Sequence, residues 1–187
     1  EAGRAALALL QTSSSGTEIS TGRAVTAWSH AHLGDWAEAR RLLDATLAKQ
    51  DEPTRFESLA EAADIIGSYN DPGRCAALLE DLRLIDPPTE DIRYYADLVA
   101  GENCVRLGEA QRGLLLLRTI PSGALTGYPG FHVRRLLSLG FAEWVAAGRV
   151  DPGVTNAAAD LARKQRAGST LAAAALLKAI DSPDISD

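Results

Sequence analysis

The chain has 187 residues, a length that suits one domain or a short array of repeats. Alanine and leucine supply most of its apolar residues and only 5% are aromatic, which favours helices over strands. The net charge of −6 argues against direct nucleic-acid binding, because phosphate backbones repel an acidic chain. Apolar runs such as AAAALL (172–177) and LLLL (114–117) are too short to cross a bilayer, so no membrane partner is expected.

Apolar residues recur at helical spacing along nearly the whole chain, and short polar breakers separate the helical segments. The pattern predicts one all-α domain over residues 1–180, followed by a flexible tail at 181–187. We expect a first helix at about 1–10, four antiparallel helix pairs, and a cap helix at 169–180. The pairs join 18–33 with 35–49, 53–69 with 72–85, 89–107 with 109–120, and 130–147 with 152–166.

The residues at the predicted helix starts have capping chemistry. Asp71 and Asp151 each precede Pro-Gly, and an aspartate N-cap followed by proline is a favourable way to begin a helix. Asp35 can cap its helix in the same way, with Glu38 three residues later as the partner of a capping box. Thr89 is placed to cap the helix that follows a pair of prolines.

The predicted pairs repeat. Their second helices start 36, 38 and 42 residues apart, at Asp35, Asp71, Glu109 and Asp151. Self-similarity at this period is typical of a helical solenoid. In such an array each hairpin buries its apolar face against its neighbours, so stacking builds one continuous core.

The segment Leu33-Gly34-Asp35-Trp36-Ala37-Glu38-Ala39 resembles the turn and second-helix start of a tetratricopeptide repeat. That family has a Gly-Asp-aromatic turn, then an acid, then a small alanine where two helices cross. The companion small residue of the first helix falls on Ala27. Weaker matches in the later units are Ala63, Asn70-Asp71, Cys75, Pro87, Gly101, Gly108, Gly113 and Gly148.

The resemblance implies an antiparallel helix-hairpin solenoid, a right-handed superhelix, over about residues 18–166. The period of the repeats in this chain exceeds the family's usual period of about 34 residues. Longer, degenerate repeats of this kind are similar to the repeat regions of large bacterial signal-transduction and transcription regulators. A helix-hairpin solenoid outside that family is the alternative. In either case Gly34 makes the turn, Asp35 caps the next helix, and Trp36 begins its buried stripe.

The sequence offers no catalytic or metal-binding pattern. His30 and His32 are two residues apart on a predicted helix, so their rings cannot chelate one ion, and we expect one partly buried and one exposed. Cys75 and Cys104 are expected to be buried, reduced thiols of a cytosolic protein, with a disulfide between them as the alternative. Zinc spacing, phosphate-binding loops and nucleophile motifs are missing from the sequence. We therefore expect no enzymatic activity and no cofactor.

The tetratricopeptide resemblance implies a concave binding groove on the first helix of each pair. Polar, charged and aromatic side chains on that face can grip a peptide segment through hydrogen bonds and aromatic anchors. Carried over unit by unit, the predicted groove residues are Trp28, His32, Glu57, Asp64, Tyr95, Glu102, Arg106 and Arg135. Charge reversal at Glu102 and Arg106 is expected to weaken a partner without unfolding the domain.

The expected function is a non-enzymatic protein–protein interaction scaffold, the regulatory module of a larger cytosolic signalling or transcription-regulatory protein. Its partner would be a protein or peptide segment, including a neighbouring domain of the same chain. The alternative is a domain that senses a small molecule or a signal peptide. The loop 121–130 is interpreted as an inter-repeat connection rather than a ligand-contacting loop with Tyr128 exposed.

Overall fold

The computed structural model describes residues 16–48, 52–69, 71–125, 129–165 and 168–180. The predicted helix at 1–10, the tail at 181–187 and Tyr128 lie outside these residues. Within them the protein is all-helical, with nine helices and no strand, which confirms the all-α class. The helices are α1 (Gly16–His32), α2 (Trp36–Leu47), α3 (Glu52–Tyr69), α4 (Pro72–Leu82), α5 (Glu90–Arg106), α6 (Ala110–Thr119), α7 (Pro129–Ala147), α8 (Pro152–Lys164) and α9 (Gly168–Ile180).

The predicted helix starts are confirmed by their caps. The side chains of Asp35, Asp71 and Asp151 each accept a hydrogen bond from a backbone N–H two or three residues later. Thr89 Oγ1 does the same for the start of α5, at 3.3 Å. Gly34 has a positive φ of 78°, a conformation that glycine adopts easily and that lets the chain reverse between α1 and α2. Local chemistry therefore determines where these helices begin.

The capping box predicted at the start of α2 is wrong in its second half. The N–H of Asp35 donates to the carbonyl oxygen of His30 at 2.9 Å instead of reaching the Glu38 side chain. The Glu38 carboxylate binds the Arg41 guanidinium at 2.6 and 2.7 Å. Because the tight turn already satisfies the Asp35 N–H, Glu38 is left to pair along the helix surface.

The chain divides into two compact units, Glu1–Ile92 and Arg93–Asp187. In the first unit α1 packs against α2 and α3, and α3 packs against α2 and α4. Ala27, Ala63 and Cys75, the small residues predicted at helix crossings, are fully buried. Larger buried side chains fill the space around them: Leu42, Leu43, Phe56, Leu59, Ile65, Ile66, Leu78, Leu79 and Leu82.

In the second unit α7 packs against α6, α8 and α9, and α8 packs against α9. Helices α5 and α6 cross at two glycines. A Cβ at Gly113 would lie 2.6 Å from the carbonyl oxygen of Gly101, and a Cβ at Gly101 would lie 2.7 Å from Leu117. The buried core of this unit includes Leu98, Leu114, Leu117, Ile120, Leu125 and Leu139.

The segment that follows α6 is part of this core. Ile120, Ala124 and Leu125 are buried, and Leu125 has a φ of 61°, which is uncommon for a leucine. The carbonyl oxygen of Ile120 accepts a hydrogen bond from Arg135 at 2.7 Å, and that of Ala124 lies 3.2 Å from His132 Nδ1. The described half of the predicted loop is therefore anchored to α7 by packing and hydrogen bonds.

Candidate functional site

A cleft of about 230 Å³ lies between α5 and α7 in the second unit, and we call it the α5–α7 cleft. Each helix contributes three residues spaced by one, three or four positions, so each set lies on one helix face. The lining residues are Glu102, Val105 and Arg106 from α5, and Leu137, Ser138 and Phe141 from α7.

A buried carboxylate forms the polar side of the α5–α7 cleft. Glu102 is 8% exposed and accepts two hydrogen bonds from the Arg134 guanidinium, one of them from Nε at 2.8 Å. Ser138 Oγ donates to the same carboxylate at 2.5 Å, and Arg106 Nη2 lies 3.5 Å from it. The buried negative charge is thus compensated, and these bonds fasten α5 to α7.

The apolar side of the cleft is open to solvent. Phe141 is 45% exposed, and its ring centroid lies 5.9 Å from that of Trp144. Val145, one turn further along α7, is exposed to a similar degree. Phe141 and Val145 therefore leave apolar surface exposed on α7.

Two of the predicted groove residues are buried, which corrects their expected exposure. Arg135 is 6% exposed and donates to the carbonyl oxygen of Ile120, and desolvation lowers its pKa. Glu102 holds the network of the α5–α7 cleft. With Glu102 buried, we now expect its charge reversal to destabilise the fold, because it would bury a cation beside Arg134. Arg106, roughly a third exposed, lines the cleft as an accessible side chain.

The other predicted groove residues do not join the α5–α7 cleft. Trp28 is about half exposed on α1, and its ring centroid lies 4.2 Å from that of His32. Tyr95 is partly buried and stacks against Phe131 at 4.8 Å. His32 is exposed and His30 partly buried with Nδ1 3.0 Å from Asp35 Oδ2, which confirms the expected contrast between the histidines.

Glu57 and Asp64 lie partly buried on α3, with Glu61 between them on the same face. Burial, and then the charges of Glu57 and Asp64, raise the pKa of Glu61 to about 7. Ser68 Oγ donates to Asp64 at 3.0 Å. The Glu61 carboxylate is therefore costly to keep ionised, a property that the sequence does not predict.

Sequence reasoning missed the α7 side of the cleft. Leu137 and Phe141 lie at helical spacing, which favours a buried apolar stripe, yet Phe141 is half exposed. Arg134 and Ser138, one turn apart, form the polar partner of Glu102. Two polar residues one turn apart beside an apolar stripe could have indicated a polar contact on α7. The spacing alone does not show that Glu102 is the acid that they bind.

Within the described residues, histidine, cysteine and acidic side chains form no group of three that could hold a metal ion. Cys75 and Cys104 are buried thiols outside any disulfide. No helix in the described part of the chain is long and apolar enough to span a membrane. Neither family models, curated proteins nor solved structures give a match to this chain.

Proposed function

We propose that the chain is a degenerate tetratricopeptide-like helix-hairpin solenoid that serves as a non-enzymatic interaction module of a larger cytosolic regulatory protein. Packing within each unit supports this arrangement. In the first unit the first helices of two consecutive hairpins, α1 and α3, pack together. In the second unit the corresponding helices α5 and α7 are joined through Glu102, Arg134 and Ser138. Stacked hairpins of a solenoid make contacts of this kind.

The main support for the proposal is Phe141, which is half exposed and lines the same cleft as Arg106. This cleft lies between α5 and α7, each of which is the first helix of its hairpin. First helices are where the tetratricopeptide resemblance places the groove. A peptide segment would cover Phe141 and Leu137 with an apolar side chain, and a carbonyl or carboxylate oxygen would accept hydrogen bonds from Arg106. The Glu102 network holds both helices in place before the partner arrives, which reduces the entropy cost of binding.

The few contacts that the cleft itself offers favour a peptide over an isolated small molecule. Full burial of a phenylalanine side chain contributes roughly 1.5–3 kcal/mol, so covering the exposed half of Phe141 contributes about 1 kcal/mol. One hydrogen bond to a charged group adds roughly 1.5–3 kcal/mol. Together these fall short of micromolar binding, which requires about 8 kcal/mol. The segment must therefore make further contacts along the helices, as an extended or helical peptide can.

Selection of binders from a random peptide display library tests the proposal. Peptides that bind the wild-type chain are expected to lose most of their affinity for Phe141→Ala and for Arg106→Glu. The matched controls are Leu115→Ala and Arg149→Glu, which change exposed residues of the same unit outside the cleft. Peptides that bind the cleft variants as tightly as the wild type would contradict the proposal.

A further inference from the structure

The exposed apolar surface beside the α5–α7 cleft follows one face of α7. Leu137, Phe141 and Val145 succeed one another at intervals of four residues, and residues at this spacing lie on the same side of a helix. Phe141 and Val145 are 45% and 43% exposed, and Leu137 is partly buried where it lines the cleft. At the rise of an α-helix the three residues cover roughly 12 Å, or about two turns. The apolar surface is therefore a line along the helix rather than a single point.

The charged side of the cleft carries more positive than negative charge. Two guanidiniums, of Arg106 and Arg134, face the single carboxylate of Glu102. Arg134 donates two hydrogen bonds to that carboxylate and Ser138 donates a third. Arg106 lies 3.5 Å from it, at the outer limit of a hydrogen bond, and its side chain is 34% exposed. A guanidinium has five N–H donors, so Arg106 keeps most of them for an anion that approaches from solvent.

The charge of the whole chain limits how acidic a partner can be. The net charge of −6 disfavours association with a strongly acidic segment. A carboxylate in contact with Arg106 is nevertheless attracted locally, because exposed charges more than about 8 Å away are largely screened at physiological ionic strength. The cleft therefore suits a segment that carries one acid at this position rather than a run of acids.

The backbone of the cleft favours a partner whose own backbone is already hydrogen-bonded. An extended peptide needs partners for the N–H and C=O groups that it buries. The carbonyl oxygens of residues 103–105, at the end of α5, already accept hydrogen bonds from the turn that follows. Glu102 and Ser138, the other polar side chains of the lining, are bonded to each other. A helix satisfies its backbone internally and presents side chains at intervals of three or four residues.

We propose that the α5–α7 cleft binds an amphipathic helix of a partner protein, in which one acidic residue lies three or four positions from a bulky apolar residue. The apolar side chain would cover Phe141 and Leu137, and the carboxylate would accept hydrogen bonds from Arg106. Both contacts lie in the same cleft, which matches side chains one helical turn apart. A second apolar residue, one turn further along, would cover Val145. This inference rests on the proposed function and names the partner of the same site.

Two peptide display libraries of equal diversity test the proposed partner. One has an alanine-rich helical scaffold with randomised positions i, i+3, i+4 and i+7, and the other has a proline-rich scaffold that stays extended. The wild-type chain is expected to select binders from the helical library, with an acid at one position and a large apolar residue three or four positions away. Selection on Arg106→Glu should replace the acid with a basic residue, because the charge at that point of the cleft is reversed.

A double-mutant cycle on one selected peptide tests the contact with Arg106. Replacing the acid of the peptide with its amide should weaken binding to the wild-type chain roughly tenfold or more. The same replacement should weaken binding to Arg106→Gln by less than about twofold, because the partner of the acid is gone. Arg149→Gln is the matched control, since Arg149 is exposed in the same unit and does not line the cleft. The change in the peptide tests the contact in the unaltered chain.

The outcomes separate this inference from the proposed function. Binders that depend on Phe141 but come from the extended library, or show no preference for an acid, would overturn the helix proposal and leave the interaction site standing. If no peptide from either library depends on Phe141, both proposals fail. A dimer in sedimentation that Phe141→Ala dissociates would also overturn the helix proposal, because a second copy of the chain would then occupy the cleft.

Discussion

The Glu102 network of the second unit gives a stability prediction that can be worked from its contacts. Glu102→Gln keeps the side-chain volume and one acceptor oxygen but removes the charge that Arg134 binds through two hydrogen bonds. Ser138 and Arg106 also lose their charged partner. Hydrogen bonds to a charged group contribute about 1.5–3 kcal/mol each. If both bonds to Arg134 were lost completely, the free energy of unfolding would fall by roughly 3–6 kcal/mol, which is an upper bound because glutamine keeps one acceptor oxygen.

That range must be reduced because the arginines can be rehydrated. The side chains of Arg134 and Arg106 are 28% and 34% exposed, so neither is left as a fully buried cation. We expect Glu102→Gln to lower the free energy of unfolding by about 2–3 kcal/mol, below the roughly 3–5 kcal/mol of a fully buried broken pair. This is a large part of a typical domain stability of about 5–15 kcal/mol.

Urea unfolding followed by the fluorescence of Trp144, in a chain whose other two tryptophans are replaced by phenylalanine, measures the effect in the second unit. Glu109→Gln is the control, because Glu109 forms an exposed pair with Arg112. It should change the free energy by less than about 1 kcal/mol. Replacing Glu102 and Arg134 together with leucine and methionine should recover much of the lost stability. If Glu102→Gln matches the Glu109 control, the network does not hold the helices together.

Two further predictions concern α3 and the α5–α6 crossing. Folded Glu61 keeps its proton up to about pH 7, against an ordinary pKa of 4.5, so stability is lost as the pH rises through this window. At pH 8, Glu61→Gln should therefore raise the free energy of unfolding, measured by urea, by about 2–3 kcal/mol. Below pH 4.5 the same substitution should change it little. An equal effect at both pH values would contradict this prediction. Gly113→Ala places a Cβ against the backbone of Gly101 and should cost about 1–3 kcal/mol in urea unfolding. Gly130→Ala, with open space around its Cβ, should be neutral or stabilising, and similar results for both glycines would contradict the close crossing.

The helices and their starts were predictable because their causes are local. Asp71 and Asp151 cap the helices that follow them, as their Asp-Pro-Gly sequences predicted. Ala27 and Ala63 were assigned to helix crossings and are fully buried. The largest difference in helix bounds is at the end of α4, which stops at Leu82 rather than 85. Residues 83–85 form a turn shortly before two prolines. Proline disfavours the α conformation in the residue that precedes it, so the helix ends early.

The site was predictable only in part, because it depends on contacts between distant helices. Helix α5 is buried around much of its circumference, so it has no clear polar face from which exposure could be deduced. Glu102 is buried because Arg134 and Ser138 approach it from α7, more than thirty residues away. The opposite holds for Phe141 and Trp36. Their apolar spacing favours the core, but each side chain lines a cavity and is not fully buried.

Photo-crosslinking in the cells that make the protein tests the proposed interaction site most directly. The photoreactive residue p-benzoylphenylalanine would replace Phe141 in the full-length protein, with Leu115, exposed on α6, as the matched control position. If the α5–α7 cleft holds a protein segment, mass spectrometry should find one partner that crosslinks from position 141 and not from 115. The same crosslinked proteins from both positions, or none from position 141, would contradict the account.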